Sequence, residues 1–293
     1  MNQSAMNEST REQPLLELDN LRVDFHTPTG IVQAVRGLSF TLGRERLGIV
    51  GESGSGKSMT GRAILDLIPH PGEVRADRLT YRGQDLLTMD KRARRKLRGR
   101  HISMVMQDPK FSLNPVRTVG DQIAEAYRVH HKASAREARQ RSLAMLEQVQ
   151  IREPARVYEL YPHEVSGGMG QRVMIAMMLI AEPDILIADE PTSALDVTVQ
   201  LQMLKILDDL VTQRGMGLIF ISHDLHLVQS FCDRVIVMYG GKAMETLPAA
   251  ELADESARAR RHPYTLGLLG CLPDLDHPRE TLATLNRDPA WLA

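Results

Sequence analysis

The stretch "RLGIVGESGSGKS", residues 46–58, limits the possible folds of this chain more than any other segment. A short apolar run ends in glycine and a loop of small residues follows. A helix then begins at Lys57 and runs to about Ile68, where Pro69, Pro71 and Gly72 stop it. Strand, glycine loop and helix in that order open an α/β sheet. Three later segments, "DILIADEP", "MGLIFISHD" and "RVIVMYGG", are apolar runs separated by helical stretches, the alternation that builds a parallel sheet. Ahead of them, "LELDNLRVDF" from Leu16 to Phe25 alternates apolar and polar residues with one slip at Asn20, which predicts a half-buried strand with a bulge. "IVQAVRGLSFTL" continues in the same manner, so the first part predicts an antiparallel sheet. Residues from about 108 to 165 read as an inserted helical subdomain, with a capping box at Ser134 and Glu137.

Size and charge narrow the class. With 293 residues, 43% of them hydrophobic, the chain can bury a large core. Its 36 basic and 37 acidic side chains leave a formal net charge of −1, so there is no global field of the kind that gathers nucleic acid, and none is expected as a partner. Two cysteines, Cys232 and Cys271, are too few for a disulfide framework or a cysteine metal cluster and predict a reducing compartment. Residues 1–13 predict a disordered tail, and they lack the basic start and apolar run of a secretory signal. The longest apolar stretch, Val173 to Ala181, is under half of the roughly 20 residues that a membrane-spanning helix needs. The basic run "KRARRKLRGR", Lys91 to Arg100, suits a solvated helix face, or contact with lipid headgroups or a partner's acidic loop.

"GESGSGKS", Gly51 to Ser58, satisfies the phosphate-loop pattern between a strand and a helix. The glycines let backbone amides converge on the α- and β-phosphates, Lys57 reaches the β- and γ-phosphates, and the Ser58 hydroxyl can ligate Mg²⁺. A simple helix-capping turn would account for Gly54 and Gly56 but not for the Lys57–Ser58 pair. In "ILIADEP" an apolar strand ends in two adjacent acids, which a buried strand avoids unless they meet a cation or a substrate. Asp189 is placed to hold Mg²⁺, and Glu190, just past the strand end, to polarise an attacking water. Gln107 ends the apolar run "MVMQ" and His223 follows "LIFIS". Because ligands gather at the carboxyl ends of parallel strands, both are expected to face the same crevice as Lys57 and Asp189. A second anion-binding helix start, Ser166, Gly167 and Gly168 in "HEVSGGMGQR", then has no nucleotide of its own to hold. It gains a use if it faces the nucleotide of another subunit.

These motifs together, "GESGSGKS", "MQDP", "VSGGMGQR", "ILIADEP" with "TSALD", and "ISHD", resemble the ATP-binding cassette (ABC) family in order and spacing over nearly all of the chain. The resemblance implies a phosphate-loop NTPase fold of α/β class, with an antiparallel β subdomain and an inserted helical subdomain. It implies a cassette over residues 14–245, a C-terminal extension over 246–293, and ATP and Mg²⁺ as cofactors. By the same resemblance Phe25 stacks on adenine, and Gly51, Ser53, Gly54, Ser55, Gly56, Lys57, Ser58 and Met59 hold the phosphates. Ser58, Gln107 and Asp189 hold the metal. Glu190, His223 and Gln107 serve catalysis, and Asp196 lies in a loop crossing a dimer interface with Ser166, Gly167 and Gly168.

"QDPKFSLNPVRTVGDQI", "SGGMGQRVMIAM" and "HPYTLGLL" are similar to the importer ATPases for peptides, nickel chelates and opines. The partners so implied are a second cassette chain, favoured to be a different one, two membrane permease subunits contacted through "FSLNPVRTVG", and an extracytoplasmic solute-binding protein. The implied location is the cytoplasmic face of the inner membrane, peripheral to it. Gly170 stands where that subgroup usually has arginine, which predicts a lost surface contact. No iron–sulfur or metal site is expected around Cys271. The competing reading is a soluble cassette acting on DNA or ribosomes, but the coiled coil, zinc module or second cassette that such proteins carry is not evident. A non-hydrolysing regulatory cassette would show damage at Glu190 or His223, and both are intact.

Overall fold

A computed structural model describes residues 13–106, 112–193, 195–271, 285 and 287–292. The first part is an antiparallel sheet of β1 (Leu16–Thr27), β2 (Gly30–Leu42), β4 (Gly72–Arg75), β5 (Arg78–Tyr81) and β6 (Gln84–Asp85), with β1 pairing β2, β4 and β5. The expected slip in β1 is present: the register with β2 shifts between Leu18 and Leu21, and Asn20 takes a positive φ of 51°. The second sheet runs in the order β11 (Lys242–Pro248), β10 (Arg234–Tyr239), β3 (Arg46–Val50), β9 (Gly217–Ser222), β8 (Ile185–Asp189) and β7 (Ile102–Val105). All its neighbours are parallel except the β10–β11 pair.

The continuous apolar runs follow from burial on both faces. In β9, Leu218 and Phe220 pack into one core with the helices, while Ile219 and Ile221 pack into the other with the antiparallel sheet. β8 divides in the same way, Leu186 and Ala188 against Ile185 and Ile187. The helices are α1 (Lys57–Ile64), α2 (Lys91–Leu97), α3 (Val119–His130), α4 (Ala135–Gln148), α5 (Pro154–Glu159), α6 (Gly167–Leu179), α7 (Val197–Arg214), α8 (Leu225–Phe231) and α9 (Pro263–Gly270). α3, α4 and α5 fall within the stretch read as a helical insertion. Ser134 caps α4 by accepting from Glu137 N, but the Glu137 carboxylate accepts instead from the Tyr127 hydroxyl at 3.3 Å.

Three expectations change. α1 ends at Ile64, four residues before the predicted stop, because Asp66 adopts a left-handed φ of 55°. Asp66 N bonds Ala63 O and Leu67 N bonds Arg62 O, the paired closure of a Schellman end. Arg98, from the basic run, seals this end through Leu65 O at 2.6 Å and the Asp66 carboxylate at 2.9 Å. The basic segment is therefore not wholly a solvated face: Arg92, Arg95 and Lys96 are exposed, whereas Arg94 and Leu97 are buried. Gly170, predicted to have lost a surface contact, is itself buried in α6.

β3 packs closely against α8 at Gly48. A Cβ on Gly48 would lie 2.3 Å from Val228 Cγ1 and 3.2 Å from Cys232 Sγ, so only glycine lets the helix approach this closely. Gly48→Ala is expected to destabilise the chain by about 1–3 kcal/mol through overpacking. Adding Val228→Ala should recover part of that loss. Urea unfolding of both variants measures the difference.

Candidate active site

The carboxyl ends of β3, β8 and β9 converge on the start of α1. The chain leaves β3 through Gly51 and turns into α1 at Gly56, whose φ of 99° and the Ala34 carbonyl, 2.3 Å from where a Cβ would sit, both demand glycine. Lys57 folds back over this loop, its Nζ donating to Gly51 O at 2.8 Å and Glu52 O at 2.9 Å, with Ser55 Oγ at 3.5 Å. The Ser55 carbonyl in turn accepts from Gly241 N at 3.1 Å, just beyond β10. Ser53 and Gly54 form the exposed tip, and Met59 lies half-buried against the apolar core.

Asp189, the last residue of β8, accepts from Ser58 Oγ at 2.8 Å. Both Lys57 and Asp189 are buried, which a charge tolerates only beside partners. Burial lowers the Lys57 pKa, opposed by Glu190, Asp189 and Glu52. The Asp189 pKa is raised, first by burial and also by Glu190, against the Ser58 hydrogen bond, Arg62 and Lys57. Two hard oxygen donors, one hydroxyl and one carboxylate, within hydrogen-bond distance of each other and next to a phosphate-loop lysine suit Mg²⁺ bound together with a polyphosphate. Glu190 follows in a left-handed conformation, φ 47°, its N–H bonded to Ile221 O at 2.9 Å. Its Oε1 stands 3.2 Å from His223 Nδ1, just past the end of β9.

Lys57, Ser58, Asp189, Glu190 and His223 therefore form one group. Ser166, Gly167 and Gly168 form a second, at the start of α6. Ser166 Oγ accepts from Met169 N, and a Cβ on Gly168 would come within 3.0 Å of Val199 Cγ1, so the turn sits against the first residues of α7. Asp196 caps that helix, accepting from Thr198 N and Val199 N. Phe25 lies apart on β1, half-buried and paired in register with Val32 and Gly72. Gln107 lies outside the described residues. Sequence reasoning missed Glu52, whose main-chain N–H donates to Tyr264 Oη at 3.3 Å and whose carboxylate pairs with Arg287 at 3.0 Å. "HPYT" was the available signal, but nothing in its spacing points back to residue 52.

The chain is similar to known proteins in both sequence and fold. The ABC transporter family matches residues 35–193. The dipeptide transport ATP-binding protein DppD of Escherichia coli is 46% identical over 272 residues, 92% of this chain and 82% of that protein. The oligopeptide transport ATP-binding protein OppD of Salmonella typhimurium is 45% identical over 276 residues, 94% and 81% of the two chains. Among solved structures, the dimeric bacterial ABC transporter cassette MJ0796 superposes with a TM-score of 0.70 at 28% identity, covering 80% of this chain and 98% of that one. A post-hydrolysis dimer of the same cassette bound to ADP and Pi matches equally well. A family match over more than half of the sequence, and relatives this similar along nearly all of it, mean that the chain belongs to the ABC transporter family.

Proposed function

We propose that this chain is the ATP-hydrolysing subunit of an importer for peptides or related small solutes such as nickel chelates and opines, working through separate permease subunits. As a family member it binds ATP with Mg²⁺ and hydrolyses ATP. The observation that carries the catalytic reading is the Glu190–His223 pair, 3.2 Å apart at adjacent strand ends beside Lys57 and the Ser58–Asp189 contact. In this reading Lys57 and the loop amides of Ser53, Gly54, Ser55, Gly56, Ser58 and Met59 cradle the triphosphate. Ser58 and Asp189, with Gln107, hold Mg²⁺, which neutralises charge on the phosphates. Glu190 orients the attacking water and His223 holds Glu190 in line while contacting the γ-phosphate. Phe25, beside Gly72, supplies a face for adenine.

The second group is assigned to a partner's nucleotide. The turn Ser166–Gly168, exposed at Ser166 and Gly167, with Asp196 and the exposed apolar residues Val197 and Leu201 (73% and 60% accessible), makes a surface suited to burial against another cassette, favoured to be a different chain. The permease contact is assigned to the segment before α3. Gln122 fixes it by accepting from Asn114 N at 2.7 Å and donating to the Asn114 and Arg117 carbonyls, and Val116 stands 78% exposed at its tip. No helix among the described residues is long and apolar enough to cross a membrane, which suits a peripheral place on the cytoplasmic face, beneath permeases fed by a solute-binding protein.

Three variants test this. Glu190→Gln should keep ATP binding and lose about 10²–10⁴ in turnover, the usual cost of removing a group that activates water. An ATP-loaded dimer should then persist in size-exclusion chromatography with the partner cassette. Lys57→Ala should lose ATP affinity first, read by nucleotide titration; undiminished binding would overturn the phosphate-loop reading. Val116→Asp should leave the ATPase activity of the isolated chain within about twofold, because the side chain is exposed. Uptake by the assembled importer should nevertheless collapse.

A further inference from the structure

The end of the described chain returns to the phosphate loop. α9 opens at "HPYT": His262 Nδ1 accepts from Tyr264 N at 3.1 Å, and Pro263 fills the first helical position. Tyr264 is wholly buried. Its ring centroid lies 4.7 Å from that of Tyr239 and 5.7 Å from that of Trp291, and Tyr239 and Trp291 meet edge to face at 5.8 Å. Burial pushes the Tyr264 hydroxyl up to about 12, so it stays neutral and can accept a hydrogen bond throughout the working range of pH.

That hydroxyl accepts from Glu52 N, while Arg287 Nη2 pairs with Glu52 Oε1. The remaining polar group of the same residue, its carbonyl, accepts from Lys57 Nζ. Glu52 is thus gripped by the C-terminal segment through its N–H and carboxylate and by the phosphate-loop lysine through its oxygen. A second strut runs from the same aromatic cluster. Tyr239 ends β10, and Gly241, two residues on, donates to Ser55 O on the other arm of the loop.

We propose that Tyr264 and Arg287 are positioning residues for ATP, clamping the entry arm of the phosphate loop so that its amides and Lys57 are pre-set for the triphosphate. This rests on reading that loop as the triphosphate cradle. A loop held by the fold has less conformational freedom to lose when nucleotide binds, so removing the clamp weakens affinity rather than the chemical step. Tyr264 carries most of the effect, because its ring is fully buried and its bond is partly shielded from solvent. The Arg287–Glu52 pair is largely open to solvent and is screened by salt.

The test uses full-length Tyr264→Phe, which keeps the ring and removes only the hydroxyl, alongside Arg287→Ala and Arg287→Lys. Loss of one neutral hydrogen bond predicts an ATP KM raised about three- to tenfold in Tyr264→Phe, with kcat within about twofold and a thermal midpoint lowered by no more than about 4 °C. Arg287→Ala should raise KM by less, the rise disappearing at about 0.5 M salt, and Arg287→Lys should restore part of it. A wild-type KM in Tyr264→Phe overturns the clamp. So does a raised KM that comes with a larger fall in thermal midpoint, since that reports packing. If Lys57→Ala loses ATP binding while Tyr264→Phe behaves as wild type, the clamp alone fails; if Lys57→Ala binds ATP normally, the cradle itself is wrong.

Discussion

The parallel sheet is buried on both faces, and this constraint decides where chemistry can occur. Along β8 and β9 every residue is buried, and a charged side chain ahead of the carboxyl end of either strand would lie in apolar packing without a partner. Ionisable groups are pushed to the carboxyl ends, and even there Lys57 and Asp189 remain buried. Burial acts on both in the same sense, favouring the neutral form of each, and their mutual attraction with the Ser58 hydroxyl and the Gly51 and Glu52 carbonyls opposes it. Negative charge brought to Lys57, or a divalent cation brought to Asp189, favours the charged forms that burial disfavours. Electrostatic gain on binding is thus built into the depth of the site.

The same sheet explains how two adjacent acids take different directions. β8 stays in register with β9 as far as Asp189 and Ile221, and the ladder gains one further bond from Glu190 N to Ile221 O. Glu190 then turns left-handed, a conformation that costs a non-glycine residue on the order of 1 kcal/mol or more and persists only where its surroundings hold it. The turn sends Asp189 toward Ser58 and Glu190 toward His223. One carboxylate meets a hydroxyl suited to a metal and the other meets an imidazole.

Much of this was legible in the sequence, for a physical reason. The strands, the phosphate loop, the acid pair and His223 are local patterns: apolar runs, glycines and polar residues at run ends. The bulge at Asn20 was readable as a slip in alternation. What stayed hidden depends on contacts distant along the chain. α1 stops early because Asp66 turns left-handed and Arg98 caps its last carbonyls, and no pattern within residues 57–68 records that. The burial of Gly170 follows from how α6 packs, and the grip on Glu52 spans more than two hundred residues. Neither leaves a periodic trace.

On the proposed reading, the second helix start meets its anion only across an interface. At the head of α6, Met169 N is taken by Ser166 Oγ and Gly170 N by Ser166 O. The outward donors of that turn are therefore the amides of Gly167 and Gly168, at the positive end of a helix running to Leu179. Gly167 has open space where a Cβ would sit, so an approaching anion meets backbone rather than side chain. Such an end gains most from an anion that is already partly desolvated, and water alone offers no such partner. On the proposed reading, the γ-phosphate in a facing subunit's cradle is that anion. Nucleotide then joins the two surfaces, because each phosphate group is bound incompletely until both are in place.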